Sequence, residues 1–406
     1  MPALAVSNVP PLSHHLWEIF FCILFGGKKK IRIFAGEMAI FANWNSRPSK
    51  MDKIEIKGYK SIHDLELQLQ PINILIGANG SGKTNFLSFF EFLRNIYSQN
   101  LRGYVAERGV EKILHKGAKV TEVISSKLSF GKNKYSFDIK AAEVGFVFTH
   151  EGLWYSGNPY VSNPQEISTM GYESNLRQAT VARAQYIRDY LGGLVKYHFH
   201  DTSANSPFTQ TSNVENDKFL LYSKGQNLGA FLYNIRETAP VSYNLIVHTV
   251  QSIAPYFGDF YLRPTENGMV RLQWTSRYSE TIYGPTDLSD GTIRFIALAT
   301  LFLQPELPAT IIIDEPELGL HPAAITKLSG MIKSAANKKC QIIAATQSTD
   351  LLSHFQPDDI IAVDLVDGAS RFQKLDNKAL QLWLENYYSV DELWKRNILS
   401  HGQPNF

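Results

Sequence analysis

Two periodicities organise the chain. From Met51 onward apolar side chains alternate with polar ones. Ile54 and Ile56 stand between charged residues, and Leu65, Leu67 and Leu69 between polar ones, which predicts two half-buried strands around a turn at 58–62. Residues 72–76 form a continuous, β-branched apolar run and read as a fully buried strand. The period then changes. Phe86, Phe89, Phe90, Leu93, Ile96 and Tyr97 recur at helical spacing, so a helix is expected to start near Gly82. Alternation returns in the runs 123–130, 135–139 and 144–149. Turn residues Gly131, Asn133 and Gly152 set these off, which is the pattern of an antiparallel meander.

Residues 156–176 are polar and irregular. A helix is expected over 177–191, a strand over 194–200, and a mobile loop over the Ser/Thr/Asn-rich stretch 202–217. Helical pattern resumes at 227–236 and 242–253, with strands at 261–262 and 269–275. The last third predicts an apolar helix over 293–303 and a strand over 310–313. Next comes a helix with Pro322 at N1 and Ile325, Leu328, Met331, Ile332 and Ala335 along one face. Strands over 341–345 and 360–366 and helices over 380–388 and 390–399 complete it. Strands alternating with helices indicate an α/β chain. No internal repeat or sustained heptad is present, so no long coiled-coil arm is expected.

Composition narrows the class only a little. The 406 residues are 44% hydrophobic and 19% charged, which excludes wholesale disorder, and the net charge of +2 neither supports nor excludes a nucleic-acid partner. Cys22 and Cys340 form no metal-ligand spacing and no disulfide framework, which suits a reducing, cytoplasmic setting. Residues 1–50 differ from the rest. Their apolar run from Leu16 to Phe25 is too short to span a bilayer, and Lys28, Lys29 and Lys30 follow it, where a signal peptide would carry its positive charge before it. The expectation is an atypical leader over 1–50 and no membrane partner. An N-terminal lobe would follow over 51–155, an inserted, largely helical lobe over 156–285, and a C-terminal lobe over 286–406.

The chemistry begins where the period changes. Gly77, Ala78, Asn79, Gly80, Ser81, Gly82, Lys83 and Thr84 fit G-x-x-x-x-G-K-[ST] at every fixed position, with the predicted strand before and the predicted helix after. Glycines let backbone N–H groups surround a phosphate, and the helix N-terminus adds partial positive charge. Lys83 is placed to reach β- and γ-phosphates, and Thr84 to hold Mg²⁺. The strand 310–313 ends in Asp314 and Glu315, candidates for Mg²⁺ ligation and for polarising an attacking water. Ser289 is a natural N-cap for the helix 293–303. Gln347, just past the strand 341–345, is a candidate γ-phosphate sensor.

The set formed by the glycine loop, Leu288-Ser289-Asp290-Gly291, Asp314-Glu315-Pro316-Glu317 and Leu320-His321-Pro322 resembles ABC-class ATPase heads of the RecF/SMC type. More narrowly, it resembles bacterial AAA family ATPases with a RecF-like core. The opening Ile56-Lys57-Gly58-Tyr59-Lys60-Ser61, the run His198-Phe199-His200-Asp201-Thr202 and Glu392-Leu393-Trp394 are similar to that narrower group. The resemblance covers about residues 51–405. It implies a P-loop fold with a mixed sheet, an antiparallel β subdomain and an inserted helical lobe. It also implies ATP with Mg²⁺, and a homodimer that sandwiches ATP between the glycine loop of one subunit and Ser289, Asp290 and Gly291 of the other. Lys60 and Asn85 would join the nucleotide-binding set, and Lys83, Glu315 and Gln347 the catalytic one.

Two departures matter. Asp290 stands where transporters usually carry glycine. Gln347 stands where many ABC ATPases carry histidine, and a glutamine does not titrate near neutral pH, so slow hydrolysis is expected. Gln165 and Gln178 are candidates for the Q-loop residue.

Three functions compete. The leading one is an ATP-driven switch in DNA repair or phage defence, acting on DNA or on an effector partner. The second is the nucleotide-binding subunit of a transporter, which the altered signature and the large insert before Ser289 oppose. The third is an ATPase head linked to a nuclease. The chain after Ser348 is short for a nuclease domain, so a separate partner polypeptide would carry that activity.

Overall fold

The computed structural model describes residues 50–375 apart from 144, 157–163 and 169. The expected leader over 1–49, the helices over 380–388 and 390–399, the Glu392–Trp394 run, Cys22 and the start of the run 144–149 lie outside the described residues.

Two six-stranded sheets form the frame. The first is antiparallel throughout. It runs β1 (Lys53–Tyr59), β2 (Ile62–Gln68), β4 (Val123–Phe130), β5 (Asn133–Ala142), β6 (Gly145–Tyr155) and β7 (Gln165–Ser168) in the spatial order β2-β1-β4-β5-β6-β7. This is the expected meander with the opening hairpin added to its edge. The second sheet contains β3 (Ile72–Ile76), β8 (Lys196–Tyr197), β14 (Thr310–Asp314), β15 (Gln341–Thr346), β16 (Ile360–Val366) and β17 (Ala369–Lys374), ordered β17-β16-β3-β15-β14-β8. Its strands are parallel except β17.

A parallel sheet of this kind is buried on both faces, and the residue period of two sorts the side chains. Ile72, Ile74, Ile76, Ile311, Ile313, Ile342 and Ala344 point into one core, whereas Leu75, Ile312, Ile343 and Ala345 point into the other. The second core is built with the antiparallel sheet and the helix α1 (Lys83–Tyr97), whose Phe86, Phe89, Phe90, Leu93 and Ile96 are buried as the periodicity requires. The first core is closed by α5 (Leu228–Thr238), α6 (Pro240–Gln251), α7 (Asp290–Leu303) and α8 (Pro322–Asn337).

Several elements differ from the sequence pattern. Two short helices, α2 (Leu101–Arg108) and α3 (Val110–Ile113), were not indicated by periodicity, because only Leu101, Tyr104 and Val105 of α2 are buried. The helix expected over 177–191 is α4 (Ala182–Gly192), and the strand expected over 194–200 shrinks to β8, since only Lys196 and Tyr197 pair with β14. The stretch read as a mobile loop, 202–217, buries Phe208 and Ser212 and contributes β9 (Ser212–Asn213), which pairs with β11 (Met269–Val270). The strand expected at 261–262 lies slightly earlier, as β10 (Phe257–Phe260). It pairs with β12 (Trp274–Ser276), which pairs in turn with β13 (Ser279–Tyr283). Segment 156–285 thus feeds β7 to the antiparallel sheet, β8 to the parallel sheet, and α5 and α6 to the first core.

One glutamine ties the two sheets together. Gln341, 1% exposed at the start of β15, accepts the Met51 backbone N–H at 3.2 Å and donates to the Met51 carbonyl at 2.9 Å and the Gln70 carbonyl at 3.1 Å. The Tyr190 hydroxyl adds a bond at 3.3 Å to the same Oε1. Met51 is fully buried, so its backbone groups have no water to turn to. Gln341→Ala should therefore lower unfolding stability by about 2–4 kcal/mol, the cost of stranding two buried backbone groups. Denaturant titration of both proteins checks this, and a loss below about 1 kcal/mol would show that the clamp is dispensable.

Candidate active site

The parallel ladder fixes the positions of the chemical groups. Leu75, Ala345 and Asp314 are cross-strand partners in one row of β3, β15 and β14. The glycine loop begins two residues beyond that row on β3, Gln347 two residues beyond it on β15, and Glu315 one residue beyond it on β14. All lie at the C-terminal ends of parallel strands, where open α/β sheets bind ligands. The loop strand and the acidic strand stand about 10 Å apart, two inter-strand spacings, with the Gln347 strand between them.

The loop is shaped by backbone geometry that side chains would obstruct. Gly82 has φ 110°, and a Cβ there would lie 1.9 Å from Ser370 Oγ. That hydroxyl donates to the Ser81 carbonyl at 2.6 Å and is hydrogen-bonded to the Ser61 hydroxyl at 2.7 Å, so β17 and the β1–β2 turn both pin the loop. Asn85 reaches the same node, donating to Ser61 Oγ at 2.8 Å. Ala78 is half-buried and Asn79 and Gly80 are exposed at the crest, while Ser81 is buried with no hydrogen-bond partner for its Oγ. Lys83 is 6% exposed, and its ammonium donates to the Gly77 carbonyl at 2.7 Å and the Ala78 carbonyl at 2.9 Å. Burial holds its pKa below the ordinary lysine value, and Glu315, Asp314 and Glu317 oppose that shift.

Opposite the loop, Asp314 is 7% exposed and faces Lys196 Nζ at 3.4 Å. His200, with its proton on Nε2, donates to the Asp314 carbonyl at 2.9 Å. Glu315 leaves the strand in a left-handed conformation, φ 43°, while its N–H still donates to the Ala345 carbonyl at 2.8 Å. Its Oε1 accepts the side-chain amide of Gln347. The acidic pair and the candidate sensor are therefore in contact.

Ser289 caps α7 as expected, accepting from the Thr292 N–H at 3.3 Å, and Ser289 and Asp290 are exposed. Gly291 packs against the loop after the acidic strand so closely that a Cβ would sit 2.5 Å from the Gly319 carbonyl. Arg294, one helical turn further on, donates to the Leu318 carbonyl at 3.1 Å and the His200 carbonyl at 2.8 Å. Helix α7 is thus tied to both segments flanking Asp314.

Lys60 lies on the other side of the loop. It lines a cavity of about 570 Å³ with Ser61, Asn85, Glu107, Arg108 and Lys112. Its backbone N–H donates to the Ile113 carbonyl at 2.8 Å, and its ammonium donates to Ser88 Oγ at 2.7 Å. Burial, with Arg108 next in importance, lowers its pKa to about 8. Arg108 and Lys112 had no recognisable signal in the sequence, because they sit on short helices without strong periodicity. Lys196, Arg294 and Glu317 were missed as well. Glu317 had a weak cue in its position two residues after Glu315. Gln165 falls on edge strand β7 and Gln178 in the turn before α4, and both are exposed.

The donor set fits Mg²⁺. Thr84, exposed at the start of α1, and Asp314 offer hard oxygen ligands. No cluster of three or more His, Cys, Asp or Glu side chains able to hold a metal occurs among the described residues. A cation here would take its remaining ligands from phosphate and water, the usual arrangement for Mg²⁺.

A family model described as "AAA domain, putative AbiEii toxin, Type IV TA system" matches residues 172–353, and one described as "AAA ATPase domain" matches residues 50–141. The chain is 26% identical over 233 residues to a DNA replication and repair protein RecF of Bacteroides thetaiotaomicron, covering 52% of this chain and 56% of that protein. An OLD nuclease of Thermus scotoductus is 22% identical over 336 residues, covering 73% of this chain and 59% of the relative. The chain thus spans little more than half the length of the curated relatives it matches. Among solved structures, an SMC head bound to the C-winged helix domain of ScpA superposes with a TM-score of 0.56 at 15% identity, covering 82% of this chain and 99% of that one. An SMC head with an extended coiled coil, bound to the C-terminal domain of ScpA and derived from Pyrococcus furiosus, gives 0.50 at 15% identity, covering 82% and 98%. Among the described residues no helix is long and apolar enough to cross a membrane.

The lowered pKa of Lys60 generates a prediction. Its ammonium is charged below about pH 8 and neutral above, so attraction for an anion in the cavity is present at neutral pH and lost on the alkaline side. Affinity for ATP should fall several-fold between pH 7 and pH 9. That slope should be shallower in Lys60→Met, whose affinity at pH 7 should already be reduced. Identical pH profiles for the two proteins would remove Lys60 from the binding site.

Proposed function

We propose that this chain, a P-loop ATPase of the RecF/SMC-like ABC class, is an ATP-driven switch in which two copies close around two nucleotides. The observation that carries the reading is the shared row of Leu75, Ala345 and Asp314, which brings the glycine loop, Gln347 and Glu315 to the same end of the parallel sheet.

The roles follow from that arrangement. Loop N–H groups and the α1 N-terminus receive the phosphates, and Lys83 exchanges its carbonyl partners for β- and γ-oxygens. Thr84 and Asp314 would hold Mg²⁺, which would offset the negative charge of the phosphates. Glu315 orients the attacking water and accepts its proton, and the Gln347 amide keeps that carboxylate in place. The cavity beside Lys60, Arg108 and Asn85 would receive part of the nucleotide. Ser289 and Gly291 stand on an exposed helix start, and the bonds of Ser289 stay within its own helix. Their free N–H groups are therefore available to the γ-phosphate held by a second copy.

The RecF relatives favour DNA as what the switch acts on, in repair. The first family model favours a defence role with an effector partner. A second reading, ATPase partner of a nuclease, is favoured by the OLD relative, whose match spans most of this chain.

Glu315→Gln should bind ATP as well as the wild type and lose turnover, whereas Lys83→Ala should lose binding. Equilibrium binding and phosphate release on both variants test this, and wild-type hydrolysis by Glu315→Gln would remove Glu315 from the water-activating role. Closure should couple association to nucleotide by mass action. With ATP at about a hundredfold its dissociation constant, each site contributes roughly 2.7 kcal/mol to the dimer, less whatever the monomer's own affinity takes. In sedimentation, Glu315→Gln protein should shift to twice the monomer mass with ATP. Adding Ser289→Arg should abolish the shift while leaving monomer binding intact. A mass that ignores ATP would refute the closed dimer.

A further inference from the structure

Glu317 is a buried carboxylate with no part in the chemistry above. It is 7% exposed, and its two oxygens have different surroundings. Oε1 accepts the hydroxyl of Thr346, whereas Oε2 is buried without a hydrogen-bond partner. Thr346, fully buried, ends β15, and its oxygen accepts the Ser348 N–H at 2.9 Å. Ser348 caps α9 (Thr349–Leu352), accepting from the Leu351 N–H at 3.3 Å. Gln347 sits between the two residues so held, and its amide rests on Glu315. A hydroxyl has one proton to give. Thr346 gives it to Glu317, which turns its lone pairs toward Ser348 and sets the turn from which Gln347 projects.

Rested on the reading of Glu315 as the water-activating residue, we infer that Glu317 is a positioning residue for hydrolysis, acting through Thr346 to hold Gln347 against Glu315. A residue needed only to fill this space would be apolar, because burying a carboxylate is costly. Burial raises the Glu317 pKa, and the Thr346 hydroxyl offsets part of that rise.

The test uses the full chain. Steady-state hydrolysis, ATP affinity and thermal unfolding are measured for Glu317→Ala, Glu317→Gln, Thr346→Val and the Glu317→Ala/Thr346→Val pair, with Glu315→Gln as reference. Glu317→Ala and Thr346→Val should each lower kcat about tenfold or more, as displacement of a catalytic group does, with affinity within about twofold. Glu317→Gln should stay within about threefold of wild type, since its carbonyl oxygen still accepts the Thr346 hydroxyl. The pair should be no slower than the worse single variant, because both break the same link. Wild-type turnover by Glu317→Ala, with Glu315→Gln inactive, overturns the inference and leaves the site reading intact. An active Glu315→Gln overturns that reading instead. Glu317→Gln as slow as Glu317→Ala shows that charge matters and not the link to Thr346, and also overturns the inference. Should Glu317→Ala fail to fold, Thr346→Val decides, and wild-type kcat there overturns it.

Discussion

Everything in this molecule depends on the parallel pairing of β3 with β15 and of β15 with β14. Each strand is buried on both faces, so a slip of one residue would exchange the side chains of two cores. Ile74 and Leu75 already point in opposite directions. The packing therefore pins the register, and the register places the glycine loop, Gln347, Asp314 and Glu315 at one end of the sheet. Hydrophobic burial sets polar geometry here. No functional side chain has to find its own position.

A second layer of hydrogen bonds carries that precision from the strands to the loops. Ser370 holds Ser61 and the Ser81 carbonyl. Arg294 joins helix α7 to the Leu318 and His200 carbonyls. His115 Nδ1 lies 2.7 Å from the Lys60 carbonyl and fixes the turn beside the cavity. Charge follows the same plan. Asp314, Glu315 and Glu317 would repel one another if they stood alone. Lys83 and Lys196 bring positive charge to the same end of the sheet, and a cation with a polyphosphate would complete the balance.

The core of the site was legible because its elements are local. The loop needs a strand before it and a helix after it. Ile72–Ile76 and Lys83–Tyr97 supply both, the first as a short β-branched apolar run and the second by its helical period. The acidic strand, the Ser289 cap and Pro322 at the start of α8 were legible for the same reason. What the sequence hid is non-local or too short to show a period. Edge strands β13 and β17 bury few side chains. Helix α2 buries three residues of eight, so its contribution of Arg108 to the cavity has no periodic signature. The Glu317–Thr346 and Gln341–Met51 contacts join residues 29 and 290 positions apart, and only the folded register brings them together.

Backbone strain separates the working residues from the merely irregular ones. Among the described residues, six non-glycine residues have positive φ: Lys60, Gln99, Lys116, Glu315, Lys339 and Asp367. Such a conformation costs on the order of 1–3 kcal/mol, and glycine would relieve it. At Gln99, Lys116, Lys339 and Asp367 the residue closes a turn, and its side chain lines neither the cavity nor the acidic strand. Lys60 and Glu315 are different. Each keeps its backbone N–H in a bond of 2.8 Å, to Ile113 and to Ala345, and each projects a charged side chain toward one end of the space expected to hold nucleotide. Glycine there would suit the backbone and remove the ammonium or the carboxylate. At both candidate site residues a backbone bond to a neighbouring element holds the strained conformation, from α3 at Lys60 and from β15 at Glu315.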